Sequence, residues 1–249
     1  MKALSVVIIA NNERENIPKC IRAAQQLTED IVVVDSFSTD DTVDVARALG
    51  ARVFQKEWAG YAQNKNYGNQ QAKYDWILSI DADEILSKEL VQSIETLDLQ
   101  KETVYSLDRL NNFCGQWIKH CGWYPDWKKR IFNRNEVQWE GDYVHEILAV
   151  PAQFKVKKLR GILYHYSYDS LEDHASRLQI YAKLAAEDLH AQGKSVGPLK
   201  LWFSPIIRFI KTYFLKLGIL DGRNGLIISR SDAYQTYRKY ELLRELNRK

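Results

Sequence analysis

The N-terminal third of the chain alternates between two hydrophobic periods, and that alternation limits its possible folds more than any other feature. "LSVVIIA" (4–10), "DIVVVDS" (30–36), "ARVFQ" (51–55) and "WILSI" (76–80) are short and apolar, the first two strongly β-branched, as strands buried on both faces are. Helical segments separate them. Asn16-Ile17-Pro18 opens the first, with proline acceptable in a first turn, and it runs to about Gln26. "STDDTVDVARALG" (38–50) carries a Ser/Thr cap, acids in its first turn and Gly50 as a stop, and "YAQNKNYGNQQAK" (61–73) reads as a third helix. Strand–helix alternation at this spacing predicts right-handed crossovers and a mostly parallel, Rossmann-like α/β sheet flanked by helices. Ligands in such sheets sit beyond the carboxyl ends of the strands. Asn11, Asn12 and Glu13 follow the first strand, Asp35 ends the second, and Asp81, Asp83 and Glu84 end the fourth. All are expected at one edge.

"YDWILSIDADEIL" (74–86) poses an electrostatic problem, because three carboxylates crowd four positions at the end of a buried run. They repel one another, and burying any of them unpaired is costly. Asp-x-Asp in this place offers hard oxygen ligands for Mn²⁺ or Mg²⁺, and such a cation holds a nucleotide diphosphate and neutralises it as it leaves. Asp81 as a turn cap beside solvated neighbours is the plainer alternative. Asp35 on the adjoining strand favours the metal.

Beyond residue 100 the pattern changes. Strand-like runs ("TVYSLDRL", "KKRIFNR", "VQWEG", "QFKVKK", "GILYHYS") surround an aromatic, glycine-containing loop, "NNFCGQWIKHCGWYPDW". Helical periodicity returns at Ser170, with Leu171, Ala175, Leu178, Tyr181, Ala182 and Ala185 as its stripe. "PLKLWFSPIIRFIKTYFLKLG" (198–218) is apolar, aromatic and basic without one acid, and 223–248 reads as a closing helix. Two regions follow: 1–165, whose character changes near residue 100, and a helical, basic-aromatic extension, 166–249.

The net charge of +3 conceals an imbalance, since residues 194–249 hold twelve lysines and arginines against four acids. A basic extension on a mildly acidic body implies an anionic partner. The composition of 198–218 is that of a helix lying on anionic lipid; a core helix with snorkelling lysines is the other reading. A nucleic-acid partner would leave the clustered acids without a role. Cys20, Cys114 and Cys121 match no disulfide framework or zinc spacing and read as free thiols. The N-terminal apolar run ends in Asn-Asn-Glu-Arg without a cleavage site, and no stretch reaches the ~18 apolar residues of a membrane span. The expected location is cytoplasmic, peripheral on the inner face of a bacterial inner membrane.

"SVVIIANNERENI", "VVVDSFSTDDT" and "NYGNQQAKYDWILSIDADE" together resemble the nucleotide-binding half of family-2 inverting glycosyltransferases of the GT-A fold. "KRIFNRNEVQWEGDYVHE" and "KLGILDGRNG" resemble the branch that adds glucose to the lipopolysaccharide inner core. The resemblance implies transfer of one hexose from a UDP-sugar, UDP-glucose preferred, to a lipid-linked core saccharide, with inner-core heptose as the expected acceptor. It further implies that Ala10, Asn12 and Glu13 lie against uridine, that Asp35 accepts from the uracil ring, and that Lys65 lies near base and phosphates with Asn66 and Gly68 in its motif. Asp81 would contact ribose and Asp83 would ligate the metal. Ile9 and Asn11 replace the proline and aromatic of many relatives, so the base-stacking ring is missing.

Inversion by direct displacement requires a carboxylate to take the acceptor's proton opposite the leaving group. The Glu-Asp pair common in relatives is absent from "WEGDYVHE"; Glu146 stands in the Asp position, with Asp142 in reserve. His145 is a candidate for metal or diphosphate, or for simple packing. In the loop 113–127, Trp117, Trp123, Tyr124 and Trp127 are candidates for stacking on acceptor sugars or for anchoring the loop, with Lys119, Lys128, Lys129 and Arg130 facing anionic groups. Rival classes fit less well. A nucleotidyltransferase would carry a glycine-rich loop where "ANNERENI" has no glycine, and a dehalogenase-type phosphatase would place Asp-x-Asp on the first strand. A polysaccharide synthase needs membrane spans and a Gln-x-x-Arg-Trp motif that "QTYRKY" only half imitates. A non-catalytic membrane scaffold remains if no base is present.

Overall fold

Each apolar run at the N-terminus becomes a strand, and each intervening segment a helix, in a computed structural model that describes residues 2–141 and 146–248. The order is β1 (Leu4–Ala10), α1 (Ile17–Ala24), β2 (Ile31–Asp35), α2 (Thr42–Ala48), β3 (Arg52–Gln55), α3 (Tyr61–Gln71), β4 (Trp76–Asp81), β5 (Glu84–Leu86) and α4 (Lys88–Glu95). Then follow β6 (Thr103–Phe113), β7 (Gln116–Trp117), β8 (Asp126–Asn133), β9 (Gln138–Glu140), β10 (Ile147–Ala149) and β11 (Lys155–Tyr168). Helices α5 (Leu171–Ala191), α6 (Pro198–Ile210) and α7 (Gly222–Leu246) complete the chain, with a π-helical turn at Lys211–Leu215 and a 3₁₀ turn at Gly218–Asp221 before α7.

Residues Met1–Arg109 and Asp126–His165 form one unit; Leu110–Pro125 and Tyr166–Lys249 form a second. The aromatic segment 110–125 therefore belongs with the C-terminal helices, although strands of the first unit precede and follow it.

In the first unit the sheet runs β3-β2-β1-β4-β8-β6-β11-β5. The four N-terminal strands are parallel, and β8 joins β4 antiparallel. The β8–β6 and β11–β5 pairs are antiparallel too, so the sheet is mixed as a whole. Strands joined by helical crossovers run parallel, and the hairpin-rich middle segment supplies the rest. One side of the sheet packs Val6, Ile8 and Val33 against Ile17, Cys20 and Ile21 of α1; the other packs Val7, Val32 and Val34 against Ala62 of α3.

Three local expectations need correction. Helix α2 starts at Thr42, because the side chains of Asp35 and Asp40 capture the backbone N–H groups of Ser38 and Thr42 in a turn. The runs around "QFKVKK" and "GILYHYS" are one strand, β11, which passes so close to α4 that a Cβ on Gly161 (φ +97°) would meet the Leu90 backbone nitrogen at 2.3 Å. In α5 the buried residues are His174, Ala182 and Ala186, not Leu171, Ala175 and Tyr181, because the i, i+4 row through His174 is the one that packs.

Candidate active site

Parallel register brings the N-terminal candidates together. Ala10 lies beside Asp35 and Ile9 beside Asp81, so the carboxyl ends of β2, β1 and β4 form one ledge. The loops beyond are stitched by side chains. Asn11 Nδ2 donates to the Ser36 carbonyl (2.9 Å), the Asn12 N–H to Ser38 Oγ (2.8 Å) and the Glu13 N–H to Thr42 Oγ1 (2.8 Å). Asn12, held at φ 56°, accepts from the Thr39 N–H at 2.8 Å. Fully buried Asp35 accepts from the Ser38 N–H (2.9 Å) and hydroxyl and from Gln55 Nε2 (3.4 Å). Asn64 on α3 reaches the same loop, donating to Ser36 Oγ at 3.0 Å.

The charge opposing the acids after β4 comes largely from the protein itself. Asp81 Oδ2 is 3.0 Å from Arg130 and its Oδ1 3.1 Å from Lys65 Nζ. Glu84, with no exposed surface, lies 2.5 Å from Arg130 and 3.2 Å from Arg109, and accepts the Asp81 N–H at 3.0 Å. Arg109 is anchored in turn by Asp126 at 2.8 Å. Burial alone would raise the Asp81 carboxyl; Lys65 and Arg130 outweigh it and hold the group well below the usual carboxylate range. Glu84 is lowered by the same contest, in which burial and Asp81 oppose Arg130 and Arg109. Cys20 lies under this cluster, its thiol raised by burial and then by Glu84, Asp83 and Asp81, so it is an inert core residue.

Lys65 is fully buried and reaches a second acid: its Nζ is 3.3 Å from Glu146 Oε1 and 4.7 Å from the centre of the Trp139 ring. Asn66 fixes that tryptophan by a two-way clasp, donating to the Trp139 carbonyl (2.8 Å) and accepting from its N–H (3.0 Å). Glu146 is thus brought into the cluster. Asp142 and His145 lie outside the described residues.

Asp83 meets a different partner, His165, whose Nε2 lies 3.2 Å from Asp83 Oδ2. A carboxylate oxygen and an imidazole nitrogen side by side form a donor pair suited to Mn²⁺, and the two side chains keep 20% and 16% of their surface open. Among the described residues no group of three or more His, Cys, Asp or Glu is set to hold a metal, and His145 lies outside them. The donor chemistry fits.

Sequence reasoning missed His165, Arg109 and Trp139, and misplaced Arg130. Only the register of β11 against β5, which sets His165 opposite Glu84, reveals the histidine. Arg130 was expected to face an anionic acceptor but is buried in ion pairs with Asp81 and Glu84, because β8 lies next to β4. In the second unit Trp123 packs against Phe113 and Tyr168 and anchors the loop; Trp117 packs on Tyr166. Trp127, in the first unit, carries Lys158 over its ring at 4.4 Å. All three cysteines are free.

The model of glycosyl transferase family 2 matches residues 5–160. The chain belongs to that family. It is a glycosyltransferase with a mixed α/β core and a C-terminal helical extension. An uncharacterized glycosyltransferase of Rickettsia prowazekii (strain Madrid E) is 31% identical, covering 100% of this chain and 89% of its own length. The lipopolysaccharide core biosynthesis glycosyltransferase LpsC of Rhizobium meliloti (strain 1021) is 27% identical, over 96% of this chain and 93% of its own. Among solved structures, glucosyl-3-phosphoglycerate synthase from Mycobacterium tuberculosis in complex with Mn²⁺, UDP and phosphoglyceric acid has a TM-score of 0.49 at 19% identity, covering 73% of this chain and 76% of that one.

Proposed function

We propose that the chain transfers a single hexose with inversion from a UDP-sugar, UDP-glucose by preference, to a lipid-linked saccharide of the lipopolysaccharide core, an inner-core heptose being the expected acceptor. The observation that carries this reading is Lys65, which joins the Asp81 carboxylate at the nucleotide ledge to Glu146, the candidate base. The similarity to LpsC supports the acceptor class.

In this reading the ledge formed by Ala10, Asn12, Glu13 and Asp35 receives the uridine, and Asp81 faces the ribose. Asp83 and His165 are the residues that would hold Mn²⁺ or Mg²⁺, and His145 is the remaining candidate. Bound there, the cation supplies charge stabilisation to the departing diphosphate. Glu146 takes the proton of the acceptor hydroxyl as its oxygen bonds to the anomeric carbon and the bond from that carbon to the β-phosphate oxygen breaks. The products are UDP and the extended saccharide, and Asp142 is the reserve for the base. Lys65 orients Glu146 and places a positive charge beside the region where phosphate charge develops.

A lipid-borne acceptor calls for work at a membrane surface, here the inner face of a bacterial membrane. Segment 198–218 supports that placement. Leu199, Trp202, Phe203, Ile206, Ile207 and Ile210 are all exposed on α6, against the reading of a core helix. Among the described residues no helix is long and apolar enough to cross a membrane.

The test is nucleoside diphosphate release from a panel of UDP-, GDP- and ADP-sugars with Mn²⁺, with and without truncated core saccharides. Acceptor-stimulated release from one UDP-hexose is the expected result. No release from any donor would leave a non-catalytic scaffold, and stimulation only by unrelated glycans would move the acceptor.

A further inference from the structure

The chain holds no acid between Asp188 and Asp221, while Lys194, Lys200, Arg208, Lys211 and Lys216 fall in that interval. Arg208 is balanced, being bound to Asp232 through two hydrogen bonds of 3.0 and 2.8 Å. Lys194 and Lys200 have no carboxylate partner among the described residues, and the same holds for Lys239 of α7. These three lysines line one cavity of about 310 Å³, together with Ser195 and Tyr240. Leu189 and Leu243 belong to the lining too, and both are part of the apolar cluster that joins α5 to α7. The ammonium groups of Lys200 and Lys239 stand 5.4 and 4.6 Å from the centre of the Tyr240 ring. Asn247 Nδ2 donates to the Lys194 carbonyl at 2.9 Å and fixes the rim.

Three cations around one small cavity repel one another; Lys194 and Lys200 are exposed, and Lys239, partly buried beside them, is the least screened by water. Lys239 shows the consequence: burial lowers its affinity for a proton, and the charges acting on it, Arg208 and Lys200, lower it further. An arrangement of this kind is completed by an anion with several acceptor oxygens.

The neighbouring surface identifies the source of that anion. Leu199, Trp202 and Phe203 flank Lys200 on the same turns of α6 and are 74%, 61% and 57% exposed. The apolar surface continues through Ile206, Ile207 and Ile210 and, past the π-helical turn, through Phe214 and Leu215. Apolar and aromatic residues alternating with unpaired lysines form the pattern of a helix lying in a lipid interface. Two copies of this face would bring two sets of lysines, and no acid of 189–220, into one interface. An anionic bilayer meets both requirements at once.

We propose that the Lys194–Lys200–Lys239 cavity binds the phosphate headgroup of an anionic phospholipid while the exposed face of α6 lies among the acyl chains. The proposal rests on the membrane-surface reading above and adds to it a discrete headgroup site, away from the nucleotide ledge and not part of the transfer chemistry.

The experiment is co-sedimentation of the full chain with vesicles of phosphatidylcholine alone or mixed with phosphatidylglycerol. Wild type should sediment with the mixed vesicles only, and the double variant Lys200→Gln/Lys239→Gln should bind them at least about tenfold more weakly. Phe203→Ser/Ile207→Ser, which alters only exposed positions, should lose vesicle binding while keeping its thermal midpoint. Inorganic phosphate separates the two sources of the anion. If it raises the wild-type midpoint, but not that of the lysine double variant, and vesicles are ignored, the site takes a soluble anion and the lipid proposal falls. Equal vesicle binding by wild type and the lysine variant overturns it, as does a concentration-dependent dimer that ignores vesicles. Donor hydrolysis in lipid-free solution should persist in wild type and in both variants, so a wild type that hydrolyses donor but ignores the mixed vesicles counts against the headgroup site and not against glycosyl transfer.

Discussion

The buried ammonium of Lys65 stands 3.3 Å from the Glu146 carboxylate. Glutamine at position 146 would keep the shape and still accept a hydrogen bond from that ammonium, but it cannot take a proton from an acceptor hydroxyl. Glu146→Gln should therefore lower turnover by roughly 10²- to 10⁴-fold. UDP affinity, measured by titration calorimetry with Mn²⁺, should stay within about twofold, because the nucleotide ledge is untouched. Transfer at a near wild-type rate would shift the base to Asp142.

Asp83 and His165 form the pair offered to the metal. Asp83→Ala and His165→Ala should each weaken the Mn²⁺-dependent part of UDP binding by about tenfold or more, with little change in metal-free UDP binding. Both side chains are partly open and outside the apolar core, so thermal midpoints should move little. Calorimetry with and without Mn²⁺ separates the two contributions. An undiminished manganese effect in both variants would remove the pair from the metal site.

How legible these residues were from the sequence follows from the kind of signal each carries. β1, β2 and β4 are continuous apolar runs buried on both faces, and such runs announce themselves without tertiary information. The acids at their ends follow from strand topology alone, which is why Asp35 and Asp81 were expected at the edge where the structure has them. Arg130 and His165 lie on antiparallel strands whose place in the sheet depends on pairings far apart in sequence, Leu78 with Ile131 and Glu84 with His165. Period-two alternation shows that such residues face one side of a strand; it does not say what lies across. The apolar and basic make-up of α6 was legible from composition, whereas the cavity beside it needs Lys239, brought from another helix.

The Arg130 network makes a signed pH prediction. Asp81, Glu84 and Asp126 all have folded-state values below their ordinary ones. The stability they contribute is complete above their unfolded-state values, about 4, and is lost as pH falls through the lower folded-state values. The urea midpoint should be insensitive to these groups from about pH 5 upward and fall steeply below about pH 4. Arg130→Met leaves Glu84 buried with Arg109 alone and should cost roughly 3–5 kcal/mol at neutral pH. Its deficit relative to wild type should shrink on acidification toward about pH 5, because a Glu84 held above its unfolded-state value gains stability by taking up a proton. A deficit that stays constant with pH would mean that the arginine acts through packing.

Gly68 sets how closely α3 approaches the sheet. A Cβ there would fall 2.5 Å from Val7 Cγ1 and 2.9 Å from Val34 Cγ2. Alanine is otherwise preferred to glycine in a helix by about 1 kcal/mol, so the sign of Gly68→Ala tests whether contact or propensity governs. Two contacts under 3 Å with β-branched side chains in a packed layer should win, with a net loss of about 1–3 kcal/mol. For a chain of this size that is a fall in thermal midpoint of roughly 2–4 °C per kcal/mol. Lys65 lies one turn earlier on the same face of α3, so lifting the helix carries its ammonium away from Asp81 and Glu146. Activity should therefore fall further than the fraction folded. Val7→Ala should destabilise by leaving a void, yet combined with Gly68→Ala it should restore part of both stability and turnover, a coupling expected only of residues in contact. Strict additivity of the two changes would show that the helix is not seated on Val7.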